Sequence, residues 1–184
     1  PELSDEEKEE SKPFSLGAPA TCKNCITVGA SENNDGNRAD GNVAVFSSIG
    51  PARGNRLKPD LVAPGFFVRS ASSNTECEVL NMAGTSMATP ITAGDTALLR
   101  QYFREGYYPS GVKNGGPPII PSGAFMKAML IHSGVDFSAS NPTGPGGPTG
   151  GSYRNQPITP TPSQIQGYGR VQLNRVLFGP ANSA

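Results

Sequence analysis

Apolar residues along this chain follow a strand period before residue 84 and a helix period after it. Short apolar runs bounded by Gly, Pro, Asn and Asp predict strands over residues 26–30, 43–46, 67–71 and 79–82. Helical spacing of apolar side chains then predicts helices over residues 86–104 and 122–133. This alternation favours an α/β fold, in which an open, mostly parallel sheet carries helices on its faces.

Two polar segments interrupt these elements. Residues 141–162 are rich in Gly, Pro and Thr, which predicts a long loop. Residues 31–41 contain alternating Asn33, Asp35 and Asn37, a spacing found in calcium loops. However, Arg38 stands where an EF-hand loop needs Gly, and no Glu closes the segment, so the pattern predicts a turn.

Composition fits one globular unit with many turns. The chain has 184 residues, of which 35% are hydrophobic, together with 23 Gly and 18 Pro. Its 15 acidic and 15 basic side chains cancel, which gives no indication of a nucleic-acid partner. No apolar run approaches the roughly 20 residues of a membrane span.

The strongest chemical signal is the heptapeptide Gly84-Thr85-Ser86-Met87-Ala88-Thr89-Pro90. It places Ser86 at the predicted start of a helix, where unpaired N–H groups and the helix dipole favour a developing oxyanion. A serine hydroxyl needs a general base and a group that orients the base before it becomes a good nucleophile. Pro90 is expected within the first turn, where its missing N–H costs little.

This heptapeptide resembles the active-serine motif of the subtilisin-like serine proteases, the subtilases. Other segments agree with the family in order and approximate spacing, and together they cover the chain from about Leu16 to Leu177. They are ITVGA at residues 26–30, FSSIGP at 46–51, LKPDLVAPG at 57–65 and QGYGRV at 166–171. The resemblance implies part of a doubly wound, mostly parallel sheet of the subtilisin-like fold, and a serine endopeptidase that hydrolyses peptide bonds by acyl transfer.

The resemblance assigns the nucleophile to Ser86 and one oxyanion donor to its own N–H. In the family, the Asp, the His and a second oxyanion donor, an Asn, all precede the serine. The histidine of this chain, His132, follows Ser86 on a predicted, partly buried helix, where a packed or capped side chain is expected instead of a base. The order Ser, Asp, His would need an acid between them, and Asp95 lies too far along the helix to serve Ser86.

The opening residues are strongly acidic, which predicts a solvated, mobile loop over residues 1–15. Residues 16–184 are then expected to form the C-terminal portion of a subtilisin-like catalytic domain. On this interpretation Pro1 follows a cleavage or another boundary of the polypeptide, and the upstream part of the same domain is the expected partner. The alternative is an ordinary surface loop at an arbitrary boundary.

Several further expectations rest on the resemblance alone. Ala18-Pro19 is expected to be a cis peptide, and residues 14–19 are expected to line one wall of the substrate pocket. No cofactor is evident, although the family makes calcium possible, and the family places the parent protein outside the cell or in a vacuole. The competing function is a catalytically inactive scaffold, a pseudoprotease that serves as an interaction module.

Cysteine pairing stays open at this point. Cys22 and Cys25 form a C-x-x-C pair before a predicted strand, and Cys77 lies far along the chain. One disulfide is expected, between residues 22 and 25 or from one of them to 77, unless the thiols are free. A zinc site is not expected, because no second pair of ligands with suitable spacing occurs. Alone, the chain is expected to be nearly inert and to fold poorly, since half a sheet leaves an edge and an apolar face uncovered.

Overall fold

The computed structural model describes residues 14–33, 41–73, 76–138, 151–153 and 156–179. Within these ranges the regular elements are six strands, two α-helices and one 3-10 helix. The strands are β1 (Val28–Ser31), β2 (Leu61–Pro64), β3 (Val68–Ala71), β4 (Val79–Met82), β5 (Ser152–Tyr153) and β6 (Gln156–Pro157). The helices are α1 (Thr85–Arg104) and α2 (Gly123–His132), and the 3-10 helix covers Leu173–Arg175.

The central sheet is built on the parallel pair β1 and β2, with Val28 opposite Leu61. On the other edge of β2, Val62 N–H donates to the Gly169 carbonyl at 3.0 Å, and Val171 N–H donates to the Val62 carbonyl at 3.1 Å. The fold is therefore α/β, as the sequence predicts.

Side-chain alternation along β2 divides the core in two. Leu61 and Ala63 belong to the cluster that contains the helices, whereas Val62 belongs to a second cluster with Phe137 and Tyr153. All three β2 residues are fully buried. Successive side chains of a strand point to opposite faces of its sheet, so these residues report on both faces. Both faces of the central sheet are consequently covered.

Both α-helices pack in the first cluster. In α1 the buried side chains recur at helical spacing, and in α2 they are Met126 and Leu130. Ser122 caps α2 by accepting a hydrogen bond from Phe125 N–H at 3.2 Å, as expected of a serine at this position. The helices begin and end within one residue of their predicted bounds. The buried positions of α1 are Ala88, Thr92, Leu99, Tyr102 and Phe103.

The strand predicted over residues 43–46 is wrong. Val43 forms only an isolated bridge with Ser31, and residues 45–46 form a turn. The chain folds back there because Ser47 N–H donates to the Ala44 carbonyl at 2.8 Å, while the Ser47 hydroxyl accepts from Ala30 N–H at 3.1 Å. The segment therefore caps the edge of β1 instead of extending the sheet.

The other predicted strands agree with the structure to different degrees. Strand β4 matches its prediction, β1 and β3 begin one or two residues later than predicted, and β2 was not predicted as a strand. The predicted loop over residues 141–162 is wrong where β5 and β6 form a short antiparallel pair. Tyr153 accounts for this pair, since its ring is buried and its hydroxyl donates to the Ser47 carbonyl at 3.0 Å. Residues 139–150 and 154–155 lie outside the described ranges.

A carboxylate organises the segment after α2. Asp136 accepts hydrogen bonds from Ser138 N–H at 2.8 Å, Thr161 N–H at 3.0 Å and the Gln166 side-chain amide at 2.8 Å. The Gln166 side chain in turn accepts from Phe137 N–H at 2.9 Å. Burial alone would raise the pKa of Asp136, but these hydrogen bonds outweigh that effect and lower the pKa.

Cys22 and Cys25 are joined in a disulfide with 5.7 Å between their Cα atoms, while Cys77 is free and exposed. Of the pairings left open by the sequence, the local one is therefore formed. Residues 1–13 of the predicted acidic loop lie outside the described ranges, as do Asp35 and Asn37 of the predicted turn.

Candidate active site

Ser86 is the second residue of α1, and its side chain is exposed. The first N–H groups of a helix have no acceptor within the helix, and the Ser86 N–H is one of these groups, at the positive end of a 20-residue helix. Neither its N–H nor its hydroxyl forms a hydrogen bond with another described residue. The hydroxyl is therefore available to react with a molecule from outside.

Glycines allow the sharp turn that presents Ser86. Gly84 has φ of 151° and ψ of 157°, a conformation that side-chain-bearing residues rarely adopt. Its N–H donates to the Gly65 carbonyl at 2.7 Å, which ties the turn to the end of β2. At Gly65 a Cβ atom would lie 2.5 Å from the Ala30 Cβ and 2.9 Å from the Gly84 carbonyl oxygen. Only glycine fits this contact between sheet and turn.

Pro90 does not lie in the first turn, contrary to expectation, but is the sixth residue of α1. Its ring nitrogen has no hydrogen to donate to the Ser86 carbonyl four residues earlier. The helix therefore loses one backbone hydrogen bond at the residue that carries the candidate nucleophile.

A small cavity of about 200 Å³ opens beside the start of α1, where Thr85 forms part of its lining. The opposite wall comes from the segment before β1, and Ala18-Pro19 in that segment is a cis peptide, as predicted. Residues 16–18 therefore line the same cavity as Thr85, the residue that precedes the candidate nucleophile. The full lining is Leu16, Gly17, Ala18, Ala20, Thr27, Val28, Gly29, Ser48, Pro59 and Thr85.

A buried ionic cluster supports this wall. The Asp60 carboxylate pairs with Lys58 Nζ at 2.5 Å and Lys127 Nζ at 2.8 Å, and it accepts from Thr27 N–H at 2.7 Å. Both lysines also donate to the Cys25 carbonyl, at 3.1 and 2.8 Å. The cluster thus fixes the disulfide turn and the start of β1 against α2. Sequence reasoning identified the Lys58-Pro59-Asp60 segment but missed Lys127.

The structure does not bring His132 to Ser86. His132 is exposed in the last turn of α2 and lines a groove together with Phe103, at the far end of α1. Seventeen helical positions separate Phe103 from Ser86, which corresponds to roughly 25 Å along the axis. His132 is therefore too far from Ser86 to act as its base. Its exposed side chain differs, however, from the packed or capped one that the sequence predicts.

Asp95 is likewise distant from Ser86 and makes no hydrogen bond or ion pair within the described part of the chain. Burial raises the pKa of its carboxyl. Within the described ranges, no group of three or more His, Cys, Asp and Glu side chains is placed to hold a metal ion. Over the same ranges, no helix has the length and apolar character needed to cross a membrane.

These features converge on one family. A model of the subtilase family matches residues 6–169. The chain belongs to the subtilase family. This subtilase chain is 32% identical over 158 residues to the serine protease/ABC transporter B family protein tagB of Dictyostelium discoideum. It is 39% identical over 99 residues to the serine protease AprX of Bacillus subtilis.

A solved structure agrees. The CspB protease of Clostridium perfringens superimposes with a TM-score of 0.60 at 30% sequence identity, over 89% of this chain and 28% of that one. The match to tagB covers 76% of this chain and 8% of that protein, and the match to AprX covers 47% and 22%. The chain thus spans less than a third of the length of each of these three proteins.

Proposed function

We propose that Ser86 is the nucleophile of a serine endopeptidase whose remaining catalytic groups come from an upstream part of the same catalytic domain. The observation that carries this proposal is the exposed Ser86 hydroxyl at the start of α1, beside a cavity and without a partner among the described residues. Family membership and the serine proteases among its relatives support it.

In this reaction the Ser86 oxygen attacks the carbonyl carbon of the scissile peptide bond, while its proton passes to a histidine of the upstream part. The carbonyl oxygen becomes an oxyanion next to the Ser86 N–H, which has no acceptor within the helix. As the intermediate collapses, the histidine gives this proton to the leaving amine, and an acyl-enzyme remains on Ser86. Water then attacks the acyl carbonyl and releases the acid. An upstream Asp orients the histidine, and an upstream Asn supplies the second oxyanion donor.

The cavity beside Thr85 is proposed to receive the substrate side chain that precedes the scissile bond. Its volume of about 200 Å³ suits one side chain, and its walls at residues 16–18 are mostly apolar. The lining includes no charged side chain, so we expect no preference for a charged residue at that substrate position.

The test combines intact-mass analysis of everything that copurifies with the chain and labelling by a fluorophosphonate probe. The expected result is a second polypeptide segment with the Asp, His and Asn, and a label on Ser86 that is lost in Ser86→Ala. Ser70→Ala, which changes an exposed serine on β3, is the matched control and retains the label.

His132→Gln separates the proposal from a mechanism that uses the histidine of this chain, because it leaves labelling intact only if the base lies elsewhere. If the upstream segment is present and Ser86 is not labelled, the proposal fails. The pseudoprotease interpretation then gains support, above all if an inert residue replaces the Asp or His of that segment.

A further inference from the structure

A large groove lies at the end of α1 opposite to Ser86. Its volume is about 660 Å³, within the range of roughly 300–1,000 Å³ that is typical of sites for small molecules. It is formed by the end of α1, the loop that leads to α2, one side of α2, and the segment around the 3-10 helix. The lining residues that matter below are Phe103, Ile120, Phe125, Met129, His132 and Arg175.

The walls of the groove are apolar and rich in aromatic rings. The ring of Phe103 lies 5.0 Å from that of Phe125 and 5.9 Å from that of Tyr108, and Tyr108 lies 6.1 Å from Phe178. Phe103 is buried at the base, whereas Ile120 is 82% exposed and Phe178 is 50% exposed at the rim. A contiguous set of exposed apolar side chains around a concavity indicates a binding surface.

One end of the groove carries the positive charge of Arg175. Phe125, Met129 and His132 follow one another at helical spacing, so the groove runs along α2 for about 10 Å. His132 lies at the C-terminal end of that helix, and the Arg175 guanidinium donates to the Gly134 carbonyl just beyond it, at 3.3 Å. The lining includes no Asp or Glu, so nothing among these described residues neutralises that end.

We propose that this groove binds a long-chain carboxylate such as a fatty acid. The alkyl chain packs on the aromatic wall along α2, and the carboxylate pairs with Arg175 and His132. An extended peptide suits the groove less well, because each of its backbone N–H and C=O groups needs a partner. The lining offers few side-chain partners, and one of them, the Ser122 hydroxyl, already accepts from Phe125 N–H.

The test is a calorimetric titration with laurate of the purified protein and any polypeptide that copurifies with it, with far-UV circular dichroism to verify folding. Dodecyltrimethylammonium and dodecanol keep the alkyl chain and change the head group. We expect saturable binding of laurate at one site, tighter than that of dodecanol, and weaker binding of the ammonium compound than of dodecanol. This experiment does not depend on the proposed peptidase activity.

Two variants and a control sharpen the test. Arg175→Gln is expected to weaken laurate binding about two- to fivefold, the usual effect of an exposed ion pair, and to leave dodecanol unchanged. Arg69→Gln, on exposed β3, is the matched control and changes neither. Ile120→Asp alters a rim side chain that is 82% exposed, so the fold is retained while both ligands lose binding.

Three results would overturn the proposal. They are a folded protein that shows no saturable laurate binding, an ammonium compound that binds as tightly as laurate, and an Ile120→Asp variant that binds laurate as tightly as the parent protein. The first removes the site, the second removes its preference for an anion, and the third places the ligand elsewhere on the molecule.

Discussion

Replacing Asp60 by asparagine should strongly destabilise the protein. The side chain of Asp60 is 8% exposed and that of its partner Lys58 is 3% exposed. Asparagine keeps the size of the side chain and one oxygen that can accept from Thr27 N–H. It removes the negative charge, however, and Lys58 then remains buried without a counter-ion.

The magnitude follows from this burial. Removing one partner of a buried ion pair typically costs about 3–5 kcal/mol, because the remaining charge stays desolvated. That is a large part of the roughly 5–15 kcal/mol that separates folded from unfolded domains. Lys127 is expected to add little to the loss, since its side chain is 23% exposed and can turn toward water.

Urea denaturation followed by far-UV circular dichroism measures the effect, because the chain contains no tryptophan. With a slope of about 2 kcal/mol per molar urea, the midpoint of Asp60→Asn should fall by roughly 1.5–2.5 M. The double variant Lys58→Met with Asp60→Leu replaces both charges by apolar groups and should recover part of this loss, although leucine no longer accepts from Thr27 N–H.

Glu105→Gln is the control, because it breaks an ion pair with Lys113 at 2.9 Å on the surface and should not shift the midpoint measurably. A midpoint for Asp60→Asn that falls no more than that of the control would refute the reasoning. So would a double variant that is less stable than Asp60→Asn alone.

The remaining predictions concern two carboxylates and a glycine. Asp95→Asn should raise the urea midpoint at neutral pH, because burial raises the pKa of Asp95 and penalises its charged form. This gain in stability should vanish below the ordinary pKa of 3.8, and equal midpoints of variant and parent at pH 7 would contradict the prediction. Asp136 has a lowered pKa, so its charged form stabilises the folded protein fully above pH 3.8, and this stabilisation is lost as the pH falls through the lowered pKa. In urea denaturation, Asp136→Asn should therefore be less stable than the parent at neutral pH and equal to it in strong acid. Gly65→Ala should reduce probe labelling of Ser86 by displacing the turn from Ala30, whereas Gly94→Ala, where a Cβ meets no atom within 4 Å, should keep full labelling.

The start of α1 could be predicted because the signals that define it are local. Gly84 adopts a conformation that requires glycine, and the apolar spacing that follows is a helix period. Ser122 before α2 is a similar local signal, since the capping side chain and the N–H that it satisfies are three residues apart. The bounds of both α-helices, which are correct to within one residue, follow from such short-range chemistry.

The two wrong predictions of secondary structure share a different cause, which is contact between distant segments. Residues 43–46 have strand-like composition, but Ser47 supplies a hydroxyl to Ala30 N–H, and the chain turns instead. Strands β5 and β6 form inside a Gly- and Pro-rich segment because Tyr153 reaches the Ser47 carbonyl, 106 residues earlier in sequence. Both outcomes depend on contacts between distant segments, which local propensity does not contain.

The candidate site depends both on local backbone chemistry and on contacts between distant segments. Ser86 is presented by local backbone chemistry, whereas the cavity beside it depends on Asp60 and on Lys127, which bonds to the Cys25 carbonyl across 102 residues. A motif can therefore identify the reacting atom without defining the surface that selects the substrate. It follows that loss of the buried cluster should disturb the wall of the cavity before it disturbs the turn at Gly84, whose tie to Gly65 involves no charged group.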